Sequence, residues 1–195
     1  MAYLFQTIVK TAKIPSTSGQ QYRDWFRNRA TQISRVDSNK LMTNNRAYTL
    51  KNLKQQDIGR MVMFFYDAKT KDTLPYWDKF PLVFPIEYYD DGFLGINLHY
   101  LPPMFRAKLM DQLYTTANND KFDSTTKLRI TYGILKGASQ FRLFRPCIKR
   151  YLTSHIKSRF LHIPSDEWDL ALMLPSQRFQ KAKATTVWRE SLLNP

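Results

Sequence analysis

The sequence predicts an α+β fold: a small antiparallel β-sheet, or a partly open barrel, followed by packed α-helices in a single domain. Three observations carry this expectation. Apolar runs between Met61 and Leu101 have strand length and are separated by turn residues. Beyond Pro103, apolar residues recur at three- and four-residue steps, the period of a helix face. The 195 residues, 43% hydrophobic and 14% aromatic, suffice for one sizeable core. Residues 1–60 then form a basic N-terminal helix and extended arm, 61–101 the sheet region, and 102–195 a mainly helical region.

The first helix is expected in STSGQQYRDWFRNRATQI. Ser18 and Gln21 make a capping-box pattern, and Tyr22, Trp25 or Phe26, Arg29 and Ile33 fall on related turns. Arg23, Arg27 and Arg29 on this helix are candidates for phosphate, weighed against a plain solvated face. Residues 34–54 are polar and without clear periodicity, so they read as the softest stretch.

The sheet candidates follow. Met61–Tyr66 is apolar and ends in the polar turn AKTKD; Pro81–Tyr88 is a second strand. Asp90, Asp91 and Gly92 supply tight-turn chemistry, and Phe93–Leu101 closes a hairpin, with Gly95 a bulge or a close approach. Prolines 75, 81, 85, 102 and 103 donate nothing to a ladder and belong at strand starts, bulges and edges. Phe64, Phe84, Ile86, Phe93 and Ile96 are the expected core.

The remainder reads as helical. Pro103 suits a first turn, with Phe105, Leu109 and Leu113 on one stripe. Asp123 or Ser124 caps TKLRITYGILKGA, which ends near Gly137. Pro146 opens CIKRYLTSHIKSRF, where Ile148, Leu152 and Ile156 are spaced for an apolar stripe. On a helix, Lys149, Arg150 and Lys157 would share the opposite face. Ser165 caps DEWDLALML, which Pro175 stops.

Charge is the strongest functional signal. The chain carries 30 basic and 16 acidic residues, a net +14. Residues 1–60 hold 11 basic against 3 acidic and residues 101–160 hold 12 against 3, whereas residues 61–100 hold 3 against 6. Such a field attracts nucleic acid or an acidic protein surface. A single cysteine, Cys147, excludes an internal disulfide and points to a reducing cytoplasm. No run has the length of a membrane span, and the N-terminus lacks the pattern of a signal peptide.

Most chemical motifs are missing. The six glycines form no phosphate loop. Cys147, His155 and His162 match no common zinc spacing, and no nucleophile elbow is present. Asp57 with Asp67-Ala68-Lys69 loosely imitates a metal-dependent nuclease, with Glu87, Asp90 and Asp91 in reserve, yet the same residues read equally well as a polar turn. No cofactor, catalytic residue or metal ligand is assigned.

The stretch FFYDAKTKDTLPYWDKFPLVFPIEYYDDGFLGINLHYLPPMFRAKLMDQLY resembles virion structural proteins of large contractile-tailed bacteriophages, marine and cyanobacterial ones above all. STTKLRITYGILKGASQFRLFRPCIKRYLTSH and IPSDEWDLALMLPSQRFQKA carry the same resemblance, which spans about Met61 to Trp188. It implies a place in the virion, at the tail, baseplate or head–tail region, and for some relatives protection of the packaged DNA end. No catalytic residue carries over.

The expected function is therefore a non-enzymatic structural part of the phage tail, baseplate or neck, made in the host cytoplasm and assembled with other phage structural proteins. The alternatives are a protein that contacts or protects the end of packaged double-stranded DNA, and a metal-dependent nuclease. Candidate contact residues are the three N-terminal arginines, Tyr76 and Trp77 as exposed anchors, and Arg142, Arg145, Lys149, Arg150 and Lys157.

Overall fold

The computed structural model describes Phe5 and residues 36–117 and 119–193. The helix expected between Ser16 and Ile33, with Arg23, Arg27 and Arg29, lies outside the described residues. The described chain is α+β. Its main sheet has six strands in the order β1-β7-β2-β4-β5-β6, every neighbouring pair antiparallel. The strands are β1 (Thr49–Leu50), β2 (Met61–Met63), β4 (Leu82–Tyr89), β5 (Gly92–Asn97), β6 (Ile148–Leu152) and β7 (Phe160–Ile163). A separate two-stranded ribbon pairs β3 (Trp77–Asp78) with β8 (Phe179–Gln180). Five α-helices complete the described residues: α1 (Ser38–Asn44), α2 (Pro103–Ala117), α3 (Ser124–Ser139), α4 (Trp168–Met173) and α5 (Ala184–Leu193).

The sheet curls without closing into a barrel. On one face Phe64 packs edge-on against Tyr151, 5.2 Å away, and Phe160, 5.0 Å away, although those two lie on strands far apart in the sheet. Phe93, stacked on Tyr151 at 5.3 Å, completes an aromatic plug. Offset and edge-on ring pairs add to the burial of apolar area itself. The other face carries Phe84, Ile86 and Ile96 into the larger core with Leu109, Leu113 and Trp168 of the helices. All five expected core residues are buried: Phe64, Phe84 and Ile96 at 0%, Ile86 and Phe93 at 2%.

The β4–β5 hairpin forms as its residues predict. Tyr89 pairs with Gly92 across the Asp90-Asp91 turn, and the bulge falls between Pro85 and Glu87, where proline interrupts the ladder. Gly92 and Gly95 are close-approach sites. A Cβ on Gly92 would overlap the Tyr151 carbonyl of β6, and one on Gly95 would overlap the Val83 side chain. Asp123 caps α3, its carboxylate accepting the Thr126 amide hydrogen.

Three expectations fail. CIKRYLTSHIKSRF is not a helix: it supplies β6, a single 3-10 turn (Thr153–His155) and the start of β7. Residues 36–54, the described part of the stretch read as soft, contain α1, capped by Asp37, and the edge strand β1. Strand Met61–Tyr66 ends at Met63, because Phe65 and Tyr66 turn away to bond Ser158 and Lys79.

Candidate nucleic-acid interface

Two open, cation-lined hollows lie side by side beyond the ends of β2 and β7. The first, of about 650 Å³, is lined by Lys79, Lys157, Arg178 and Asp67. The backbone fixes them there: Lys157 N–H donates to Phe65 O (2.8 Å), Phe65 N–H donates to Ser158 Oγ (2.8 Å), and Lys79 N–H donates to Arg178 O (2.9 Å). Lys79 and Lys157 are exposed, and neither has an acidic side chain within salt-bridge distance among the described residues. Asp67, the acid of the hollow, pairs with Lys71 at 3.1 Å, and that bond holds its carboxyl below the usual range. The second hollow, of about 630 Å³, is lined by Arg46, Arg159 and Ser158. Arg159 is oriented by Thr49, its guanidinium donating to the hydroxyl at 2.7 Å and to the carbonyl at 3.1 Å.

Tyr66 lines the first hollow and also a third, more enclosed cavity of about 320 Å³. Its walls are the turn after Tyr66, β3 and β6, and they bring together Lys69, Tyr76, Trp77, Tyr100, Lys149 and Tyr151. The Lys149 ammonium lies 4.2 Å from the centre of the Tyr100 ring, a cation–π contact, and burial lowers its pKa. Lys181 secures the turn by donating to the carbonyls of Lys71, Asp72 and Leu74 at 2.7, 3.1 and 3.1 Å.

A buried polar network contributes Asp78 and Asn97 to the cavity floor. Asp78 Oδ2 accepts from His99 Nδ1 (2.6 Å) and Asn97 Nδ2 (3.3 Å); Oδ1 accepts from the amides of Phe80 (3.1 Å) and Arg178 (3.0 Å). His99 Nε2 lies 3.0 Å from Ser176 Oγ. With Nδ1–H given to the carboxylate, Nε2 accepts from the hydroxyl. Burial holds the His99 pKa down. Burial alone would raise that of Asp78, but His99 and the two backbone amides outweigh it and hold it low. The pair is therefore a carboxylate with a neutral imidazole at pH 7.

The connectivity is that of an acid–imidazole–hydroxyl relay, but His99, Ser176 and Asp78 are 0%, 1% and 3% exposed. A nucleophile needs a position beside it for the reacting atom, and this hydroxyl is enclosed by framework. The network instead joins β3, the turn after β5 and the segment leading to β8. Arg106, also buried, extends it: its guanidinium donates to the carbonyls of Leu101 (2.7 Å), His99 (3.0 Å) and Leu172 (3.0 Å). Burial lowers the Arg106 pKa to about 10, so it stays charged.

The candidate residues are distributed differently from a helical face. Lys149 and Arg150 are neighbours on β6, so their side chains leave opposite sides of the strand. Arg150 pairs with Asp91 and lies over the Tyr89 ring, 4.0 Å from its centre, while Lys157 sits in the first hollow. Arg142 and Arg145 are exposed on the 3-10 segment Arg142–Cys147. Tyr76 and Trp77 are half-buried walls rather than exposed anchors: Tyr76 packs on Tyr100 and Phe179 at 6.1 and 6.4 Å.

The nuclease carboxylates have separate partners. Asp57 is buried beside Arg60 and accepts the Lys54 amide hydrogen, while Asp67 serves Lys71. Among the described residues no three His, Cys, Asp or Glu side chains are grouped to hold a metal. His155 donates from Nδ1 to Asp67 O at 2.8 Å, and burial pushes the Cys147 thiol up to about 12.

The profile of the phage T4 terminal DNA protecting protein family matches residues 12–191. The chain belongs to this family. It is a bacteriophage protein of the T4-like group. No curated protein and no solved structure matches it. Membership corrects the expected tail, baseplate or neck role, because the family is named for terminal DNA and not for a tail structure. No helix among the described residues is long and apolar enough to cross a membrane. Sequence reasoning missed Lys79, Arg159, Asp78, His99 and Arg106. Lys79 and Arg159 carried no signal beyond their charge, and a lone Asp beside a lone Trp gave no hint of burial.

Proposed function

We propose that this protein binds the end of the packaged double-stranded DNA in the virion and shields it by occupation, without turnover. The observation that carries the reading is the family match over residues 12–191, whose described part presents lysines and arginines around two adjacent open hollows. The charge fits that partner. Lys79 and Lys157, which make no salt bridge among the described residues, gain by displacing the condensed counterions of a duplex, whose backbone carries one negative charge per ~1.7 Å of axis. The buried hydroxyl relay and the separated carboxylates favour protection by coverage over chemistry on the DNA. Neighbouring structural proteins of the particle are a second class of contact, served by surface outside the hollows.

The experiment is exonuclease challenge of a linear duplex preincubated with the full chain. The terminal strands are expected to persist in proportion to bound protein, and a circular duplex is expected to compete poorly. Digestion at the rate of naked DNA, with the protein shown folded, would overturn the reading.

A further inference from the structure

The more closed cavity of about 320 Å³ differs in chemistry from the hollow with which it shares Tyr66. The hollows present cations to solvent; the cavity sets cations among aromatic rings. Half-buried Tyr76 and Trp77 line it with Lys149 and Arg150, and the buried Tyr66, Tyr100, Tyr151, Asn97 and Asp78 form its floor. Two of its polar groups have nothing to do in the framework. The Trp77 indole N–H is buried and has no hydrogen-bond partner. The half-buried Lys149 ammonium lies over the Tyr100 ring and has no acidic side chain within salt-bridge distance among the described residues. An unmet buried donor and a half-desolvated cation are costly features unless a ligand completes them.

The ligand that completes them needs a flat π-face, an acceptor for an indole N–H and an anion for an ammonium. Pockets for small molecules begin at about 300 Å³, and this cavity, at about 320 Å³, is on the scale of one nucleotide. Tyr66 lines both this cavity and the hollow that holds Lys79 and Lys157, so the two are neighbours. We infer that the cavity takes the unpaired terminal nucleotide of a DNA strand, the base against the half-buried Tyr76 and Trp77 and the phosphate at the Lys149 ammonium. This inference rests on the DNA-end reading above. It adds that the end is recognised by unstacking one nucleotide, which an internal duplex segment cannot offer. Frayed ends lose fewest stacking contacts, and base–aromatic stacking is sequence-tolerant, as an end-binder of arbitrary sequence requires.

The test uses the full chain and short duplexes carrying aminopurine, a fluorescent adenine analogue, at the terminal or a central position. A dumbbell duplex with both ends closed by hairpins is the competitor. Binding is expected to change the emission of the terminal probe and leave the central probe unchanged. Lys149→Gln is expected to lower the preference for open ends over the dumbbell by about tenfold, while salt-dependent duplex affinity persists. Lys69→Gln, at the exposed mouth, weakens the same preference without touching the core, so an unfolded Lys149 variant does not decide the outcome. Preference for open ends with a silent terminal probe, or with both variants at the wild-type ratio, would overturn the pocket and leave end binding standing. No preference of the wild-type chain for open ends over the dumbbell would overturn both.

Discussion

Asp78 Oδ2 stands 2.6 Å from His99 Nδ1, with neither side chain more than 3% exposed. The carboxylate has four donors for its two oxygens, so its burial is fully compensated in the native state alone. Asp78→Asn puts an amide N–H₂ where donors converge and removes the charge that faces buried Arg106. A loss of ~3–5 kcal/mol of stability is expected, read from urea unfolding at neutral pH. A loss under ~1 kcal/mol would mean that the network is dispensable.

The same pair sets an acid limit. Both folded-state pKa values lie below the ordinary 6.5 for histidine and 3.8 for aspartate, so below those values the unfolded chain binds more protons than the native one. Stability from both groups is complete above pH 6.5 and is lost as pH falls, His99 first and Asp78 at lower pH. Thermal midpoints measured downward from pH 7 are expected to decline, and His99→Gln is expected to flatten the upper part of that decline. A flat profile in the wild type would contradict the assignment.

Phe84 is fully buried and meets Trp168 edge-on at 5.0 Å, joining the sheet to α4. Phe84→Ala is expected to cost ~3–5 kcal/mol, with unfolding monitored by tryptophan fluorescence. Stability unchanged within error would show that the helices are held some other way.

Two glycines should respond in opposite directions. A methyl at Gly92 meets the Tyr151 backbone of β6, so Gly92→Ala is expected to cost ~1–3 kcal/mol and to loosen the strand that carries Lys149. A methyl at Gly133, inside α3, meets nothing within 4 Å, so Gly133→Ala is expected to stabilise by ~0.5–1 kcal/mol. Equal effects at the two sites, read from denaturant midpoints, would refute the packing account.

These positions also show what the sequence makes legible. The Asp90-Asp91-Gly92 turn and the Asp123 cap are local chemistry, and both stand where their residues place them. The basic stretch from Ile148 to Ile156 misleads because a four-residue apolar step satisfies the period of a helix and that of a strand alike. Its buried residue is Tyr151, from the other alternation, packed on Phe64 and Phe93. The cavity and the relay were out of reach for a different reason. Asp78, His99 and Ser176 converge only through the ribbon of β3 with β8, and no local pattern encodes a pairing about a hundred residues apart.

The open cations set how binding responds to salt. Lys79 and Lys157 project into one hollow from different loops, and Arg46 and Arg159 line the next. If a duplex end lies across both, each ammonium or guanidinium that meets a phosphate contributes ~0.9 to the slope of log affinity against log salt. The pair Lys79→Gln and Lys157→Gln is therefore expected to lower that slope by about 2 and to weaken binding most at low salt. Both side chains are exposed and make no salt bridge among the described residues, so the native fold should survive and its unfolding midpoint should stay within error of wild type. Arg145→Gln, exposed on the 3-10 segment and outside the hollows, serves as the control and should leave the slope unchanged. Should the control lower the slope as much as the pair does, the duplex lies elsewhere on the molecule and the hollows are ordinary solvated surface.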